Sequence, residues 1–252
     1  MKIAIITGAS SGLGVDFATE VDKQRADIDE IWLVARRKDR LEELAAKLSK
    51  KTRVLSLDIT TDEAVETLTQ ILEEEKPEIG LLIGNAGFGK LGDFTELTAT
   101  DSKNMIRLNC EALTVFSRVC LPFMKEKSEI INTCSIASFA PNARMAVYSS
   151  TKAYVMSFSR ALRFELKSRK INVLAVCPGP MDTEFLPVAG IGKGDSFTFD
   201  TLPKDKPIKI ARGSLKASKK GKGVYACHFF YKFYRVLAKV LPHSLVMYLC
   251  QT

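Results

Sequence analysis

Apolar and polar positions follow two rhythms along this chain. Short continuous apolar runs recur between polar turns: Lys2–Thr7 (KIAIIT), Glu30–Ala35 (EIWLVA), Arg53–Asp58 (RVLSLD), Gly80–Asn85 (GLLIGN), Glu129–Ser135 (EIINTCS) and Asn172–Cys177 (NVLAVC). Runs this short, apolar at successive positions, read as strands buried on both faces. Between them lie stretches with apolar residues three and four apart: Gly12–Arg25, Lys38–Lys50, Thr61–Glu75, about Thr100–Met124, and Tyr148–Lys167. Lys38–Lys50 places Leu41, Leu44, Ala45 and Leu48 on one face. Thr61–Glu75 carries Asp62 and Glu63 in its first turn, where the helix dipole favours acids. The alternation predicts an α/β fold, a doubly wound parallel sheet with helices on both faces, as a single domain over 1–252.

From Met181 to Lys222 the rhythm weakens and Gly, Pro and Lys occur throughout, which reads as a long excursion out of the sheet. Gly223–Cys227 is expected to be a short final strand and His228–Leu241 a final helix. Charge divides the chain at the same place. The 252 residues carry 37 Lys+Arg and 29 Asp+Glu, a net +8. Pro203–Thr252 holds eleven basic residues and one acid, Asp205, so this fifth carries +10 and the remainder −2. Charge supplies non-specific affinity only where it sits, so a protein coating nucleic acid along its length is excluded.

The six cysteines show no C-x-x-C spacing, and only His228 and His243 could assist in holding a metal. Reduced, mostly buried thiols in a cytoplasmic protein are expected, with no metal. No secretory signal precedes the first strand. The longest charge-free stretch, Ile130–Ala143, contains Asn, Thr, Ser and Pro. A membrane span needs about 18 apolar residues, so none is predicted.

Four motifs carry chemistry. The first strand runs into Thr7-Gly8-Ala9-Ser10-Ser11-Gly12-Leu13-Gly14, which opens the first helix. Glycines there allow a tight turn and close backbone approach to a pyrophosphate at a helix N-terminus. The second strand ends in Arg36-Arg37-Lys38, with no acid to take a ribose diol. Cations at that point favour a 2′-phosphate, and therefore NADP(H) over NAD(H). Tyr148 and Lys152 lie four apart on a predicted helix and project from one face. A neighbouring ammonium is expected to lower the phenol pKa; about three units would be worth roughly 4 kcal/mol. Ser135, thirteen residues earlier, ends the fifth strand. Ligands of such sheets bind at the carboxyl ends of strands, where a hydroxyl can bond a carbonyl oxygen as charge develops.

With these residues in order, the chain resembles the short-chain dehydrogenase/reductases of about 250 residues, from Lys2 to about Thr183. Asp58, Asn85-Ala86-Gly87, Asn109, Pro178-Gly179 and Thr183 extend the likeness. The resemblance implies a Rossmann-type fold and gives Tyr148 the acid/base role. Lys152 would hold the nicotinamide ribose and bias Tyr148, Ser135 would orient the carbonyl, and Asn109 would hold a water relaying protons from Lys152. Asp58 and Ile59 would flank the adenine, Asn85 would brace the sheet, and Thr183 would contact the carboxamide or phosphates. Gly8, Ser10, Ser11, Gly12, Leu13, Gly14, Arg36, Arg37, Ala86, Gly87, Pro178 and Gly179 complete the expected cofactor site. Two positions depart from the family pattern: Gly84 replaces an asparagine, and Cys134 stands where serine is common. Ser138 is a spare hydroxyl, but its spacing of ten from Tyr148 favours Ser135.

The resemblance makes 183–222 a substrate loop or lid, with Phe185, Leu186, Val188, Ile191, Phe197, Phe199 and Leu202 lining an apolar pocket and Gly190, Gly192 and Gly194 as hinges. In 223–252 the expected helix places Phe229, Phe230, Phe233, Leu237, Val240 and Leu241 on an apolar face and Lys232, Arg235 and Lys239 on a basic side. Three readings stand open: it covers the core or a subunit interface, rests on an anionic membrane surface through 229–241, or meets an acidic partner. The expected activity is interconversion of a small-molecule carbonyl and a secondary alcohol, with an apolar or lipid-like substrate, in a homodimer or homotetramer. A non-catalytic NADP-binding regulator on the same fold is the alternative. A sugar epimerase or dehydratase is disfavoured by length and by the G-x-x-x-G-x-G spacing.

Overall fold

A computed structural model describes residues 1–192, 194 and 200–249. Phe197, Phe199 and Cys250 lie outside the described residues. Seven strands form one all-parallel sheet, in the order β3-β2-β1-β4-β5-β6-β7. They are β1 (Lys2–Thr7), β2 (Glu30–Ala35), β3 (Lys51–Ser56), β4 (Glu78–Gly84), β5 (Glu129–Thr133), β6 (Asn172–Val176) and β7 (Val224–Tyr225). The order reverses between β1 and β4, and the crevice at that switch point is where such sheets hold ligands. β1 and β2 are buried along almost their whole length, which is why their sequences are continuously apolar.

Helices cover both faces. On one side, α1 (Gly12–Gln24) and α2 (Lys38–Ala45) pack Phe17, Val21, Leu41 and Leu44 onto Ile6, Leu33 and Leu81. On the other, α3 (Asp62–Glu75) and α5 (Leu113–Cys120) place Leu68, Leu72 and Phe116 against Ile5, Val34 and Ile130. α3 begins where the Thr61 hydroxyl accepts the Ala64 N–H, behind the acidic first turn expected from the sequence. α2 ends five residues before its predicted end. The Asp22 carboxylate on α1 accepts the backbone N–H groups of Ser49 and Lys50, turning the chain into β3.

Two differences from the sequence expectation bear on function. The predicted helix over 100–124 is α4 (Ala99–Ile106), a π-helical turn (Arg107–Ala112) and α5, followed by a short 3-10 turn at Leu121–Phe123. Single π turns mark places where a helix is bent to serve a site. The predicted excursion over 183–222 is also divided. α7 (Phe185–Ala189) fits a loop that covers the cleft, but α8 (Pro207–Lys219) is a core helix. Its Ile210, Ala211, Leu215 and Ala217 join the α1 side of the core, so the lid assignment is corrected for that half. Small residues among lysines hid its period. The chain ends with α6 (Ala146–Glu165) already behind it, then α9 (Phe229–Val240) and a further helix, α10 (His243–Leu249). No described helix is long and apolar enough to cross a membrane.

Candidate active site

A cleft of about 760 Å³ opens along the carboxyl ends of β1, β2, β4, β5 and β6. Every residue expected in the site lines it except two: Gly14, which sits beneath the first turn, and Asn109, which sits behind Gly87. The turn after β1 depends on glycine at two points. Gly8 has φ +67°, and a Cβ there would lie 2.8 Å from the Ala86 Cα. A Cβ on Gly14 would run into the Gly8 carbonyl. The turn, α1 and the β4 end therefore close on one another only without side chains. Asn85 ties the same strand ends together. Its Nδ2 donates to the Thr7 and Gly8 carbonyls at 3.3 and 3.4 Å, and its Oδ1 accepts the Thr133 hydroxyl at 3.2 Å. Thr7, not singled out in the sequence, takes the Asn85 and Ala86 N–H groups on its hydroxyl. The departure at Gly84 has a reason in packing, since a Cβ would lie 2.8 Å from Oδ1 of the buried Asn132.

At the β2 end the three cations part company. Arg37 donates to the Ser10 hydroxyl through Nε at 3.2 Å, which ties the cation to the phosphate turn. Arg36 is exposed and 3.8 Å from Asp58, whose carboxylate also accepts the Thr60 N–H and hydroxyl. Lys38 pairs with Glu42 at 3.6 Å and does not line the cleft. Ile59 is buried beside Asp58. Sequence reasoning missed Glu184. It pairs with Arg37 at 2.9 Å and with Arg40, joining the segment after β6 to the start of α2 across the cleft. Nothing in the local sequence signalled a contact over 147 positions.

The chemical end of the cleft is formed by β5 and α6. Tyr148 and Lys152 are both buried on one face of α6. Tyr148 and Ser135 line the same end of the cleft, and the Tyr148 ring packs on Phe185 of α7 at 5.5 Å. Ser138 instead donates to the Ser135 carbonyl and does not line the cleft. Cys134 donates its thiol to the Lys152 carbonyl at 3.0 Å. Lys152 Nζ donates to the Thr133 carbonyl at 2.9 Å and lies 5.8 Å from the Tyr148 ring. The expected lowering of the phenol pKa is corrected: burial pushes Tyr148 up, with the Ser135 bond opposing it. Burial likewise pushes the Lys152 ammonium down. Asn109 lies in the π turn, accepting the Phe88 N–H and donating to the Phe88 carbonyl and the Thr151 hydroxyl. A Cβ on Gly87 would be 2.9 Å from Asn109 Oδ1 and 3.3 Å from Lys152 Nζ, so glycine lets both reach the same corner. Thr183 sits over Gly12, and Pro178 accepts the Ile136 N–H. Gly179 donates to the buried Asp205 at 2.8 Å.

The family profile of short chain dehydrogenases matches residues 2–190. The chain belongs to that family and is an oxidoreductase of it. It is 36% identical over 191 residues to an NADP-dependent 3-hydroxy acid dehydrogenase of Schizosaccharomyces pombe, covering 73% of each chain. It is 30% identical over 184 residues to an uncharacterized oxidoreductase of Staphylococcus epidermidis, covering 72% of this chain and 79% of the other. A solved short-chain dehydrogenase of Sphingobium yanoikuyae in complex with NADPH superposes with a TM-score of 0.79 at 29% identity, over 96% and 97% of the chains. A 3-ketoacyl-(acyl-carrier-protein) reductase of Brucella melitensis complexed with NADH gives 0.77 at 25% identity, over 89% and 95%. The structural relatives thus include complexes with both nucleotides.

Proposed function

We propose that the protein is an NADP(H)-preferring carbonyl reductase or alcohol dehydrogenase with Tyr148 as its acid/base. The observation that carries this reading is the convergence of Ser135, Tyr148 and Lys152, all buried, at one end of a cleft whose other end is Arg37. The residues fit a dinucleotide: a glycine turn with no room for side chains, and a guanidinium fixed at Ser10 with no acid at the β2 end. The bound nucleotide would supply a hydride equivalent at its nicotinamide. The chain's own residues do the rest. Ser135 and Tyr148 orient and polarise the carbonyl oxygen. Tyr148, kept neutral by burial, is a proton donor through the neutral range, which suits reduction of a ketone. Phe185 and the apolar side chains of α7 keep water from that oxygen. Lys152 and Asn109 hold the ribose and the proton path in the Gly87 corner.

The finer parts of the reading follow from the same surroundings. Phe185, Leu186, Val188 and Leu202 in the cleft favour an apolar substrate. The five described cysteines are free thiols, which suits a reducing, cytoplasmic setting. A homodimer or homotetramer is part of the proposal and is read by light scattering. The reading is tested by following nicotinamide absorbance with acyl, steroid and small aliphatic ketones, using NADPH and NADH. Turnover by wild type that persists in Tyr148→Phe would end the acid/base assignment. Nucleotide binding without turnover of any ketone would favour the non-catalytic regulator.

A further inference from the structure

We propose that α9 and α10 form a docking surface for an anionic lipid bilayer. Of the three readings the sequence left open for this helix, the structure removes one part: the aromatic side of α9 does not cover the core of its own chain. The side of α9 held inward is Tyr231 and Ala238, with Tyr234 half-buried. Tyr231 is wedged against Gly179 and donates to the Pro203 carbonyl, Tyr234 packs its ring on Phe139 at 5.8 Å, and Ala238 meets Ala140. The helix is therefore anchored, with its opposite side outward. That side carries Phe229, Phe233, Val236 and Val240 at spacings of four, three and four, exposed by 79%, 56%, 60% and 75%. Tyr248 of α10 adds a further exposed aromatic ring. A row of large apolar side chains on a firmly packed helix marks a surface meant for contact.

Charge selects the occupant. The exposed Lys232 and Lys239 run along one flank of the row with the half-buried Arg235 beside them, and no carboxylate among the described residues lies within ion-pair distance of the three. The only acid of the last fifth, Asp205, is buried and held by Gly179. The outward side of α9 is therefore apolar and cationic, and the helix itself carries no carboxylate. A second copy related by a two-fold axis would set like charges against each other. A bilayer with anionic headgroups takes the apolar row at the acyl boundary and the cations at the headgroups. Because α9 rests on the segments that follow β5 and β6, docking would bring the rim of the cleft to the lipid.

The test uses the full chain and vesicles of phosphatidylcholine with or without about one-third phosphatidylglycerol, separated by sedimentation. Wild type is expected to bind the anionic vesicles, and pure phosphatidylcholine at least about tenfold more weakly. Replacing Lys232, Arg235 and Lys239 by Gln together is expected to weaken binding roughly 100-fold, at about fivefold per cation near the surface. Phe233→Ser with Val236→Ser is expected to weaken it by more than about tenfold through lost apolar insertion. All variants should keep the melting temperature and the turnover of a water-soluble ketone. Absence of binding to anionic vesicles overturns the proposal. So does binding that survives the serine pair, which would reduce the contact to charge alone. A concentration-dependent dimer dispersed by Phe233→Ser, without vesicle binding, would assign the face to a second copy instead.

Discussion

Helices α3 and α9 are both amphipathic, and they turn opposite kinds of face to the protein. α3 lies across the sheet and buries Ala64, Leu68 and Leu72, leaving Glu63, Glu66, Glu73 and Glu74 outside. α9 lies beyond the two-residue strand β7, where little sheet remains to cover. It buries Tyr231 and Ala238 and leaves its aromatic row in solvent. A helical period shows that an apolar face exists; the shape of what lies next to the helix decides which face is used. The same contrast divides the molecule. In the body, apolar side chains cover both faces of the sheet, and Arg37, Arg40 and Glu184 pair at the rim of the cleft. In the C-terminal fifth, the charge is unbalanced and apolar surface faces out.

The contrast implies a ladder of effects. The largest belongs to the centre of the body. Tyr148→Phe should lower ketone turnover by about 10²–10⁴-fold with nucleotide affinity within a few fold, measured by steady-state kinetics and nucleotide titration. Leu68→Ala in α3 should cost about 2–5 kcal/mol in urea unfolding, because it opens a cavity against the sheet. At the cleft rim the effects shrink. Arg37→Ala should narrow the gap between NADP(H) and NAD(H) by about tenfold, and equal affinities in wild type would refute the preference. Arg36→Ala should narrow it less, since Arg36 points into solvent.

A smaller effect lies at the far end of the sheet. Arg25 pairs with Asp27 at 2.9 Å and holds its carboxyl down, to about 2 from 3.8. A depressed carboxylate pKa contributes stability that is present above 3.8 and lost as the pH falls towards 2. Asp27 is partly exposed, so screening leaves about 1 kcal/mol. Asp27→Asn should lower stability by that amount at neutral pH, and the difference from wild type should close by about pH 2. At the bottom of the ladder, Phe233→Ser should change unfolding stability by less than about 0.5 kcal/mol. A loss like that of Leu68→Ala would mean α9 is core, and would erase the contrast.

Much of the body was legible because its signals are local. Strands buried on both faces need continuous apolar runs, and the glycine turn needs residues without Cβ atoms at fixed spacing, so both are written in consecutive letters. Tyr148 and Lys152 share a helix face through spacing alone. Other features were not legible. The Glu184–Arg37–Arg40 contact depends on a segment after β6 folding back over the start of α2, and surface charges give no sign of such a meeting. The π turn at Asn109 depends on the side chain being drawn to Phe88 from outside the helix. α8 was hidden because small residues, not large ones, make its buried face.

The sequence by itself determined the succession of strands, the family and the glycine turn, because each follows from residue type and short-range spacing. Only the tertiary structure decided three things. Of three consecutive cations, Arg37 is the one fixed to the phosphate turn, because the end of β2 aims it at Ser10. The Tyr148 phenol is raised instead of lowered, because desolvation at the buried end of the cleft outweighs the opposing influence of Ser135. And the row of Phe229, Phe233, Val236 and Val240 on α9 faces solvent, because Tyr231, Tyr234 and Ala238 take the side that packs on the body. Burial and neighbours across the chain set these outcomes, and neither is encoded in adjacent letters.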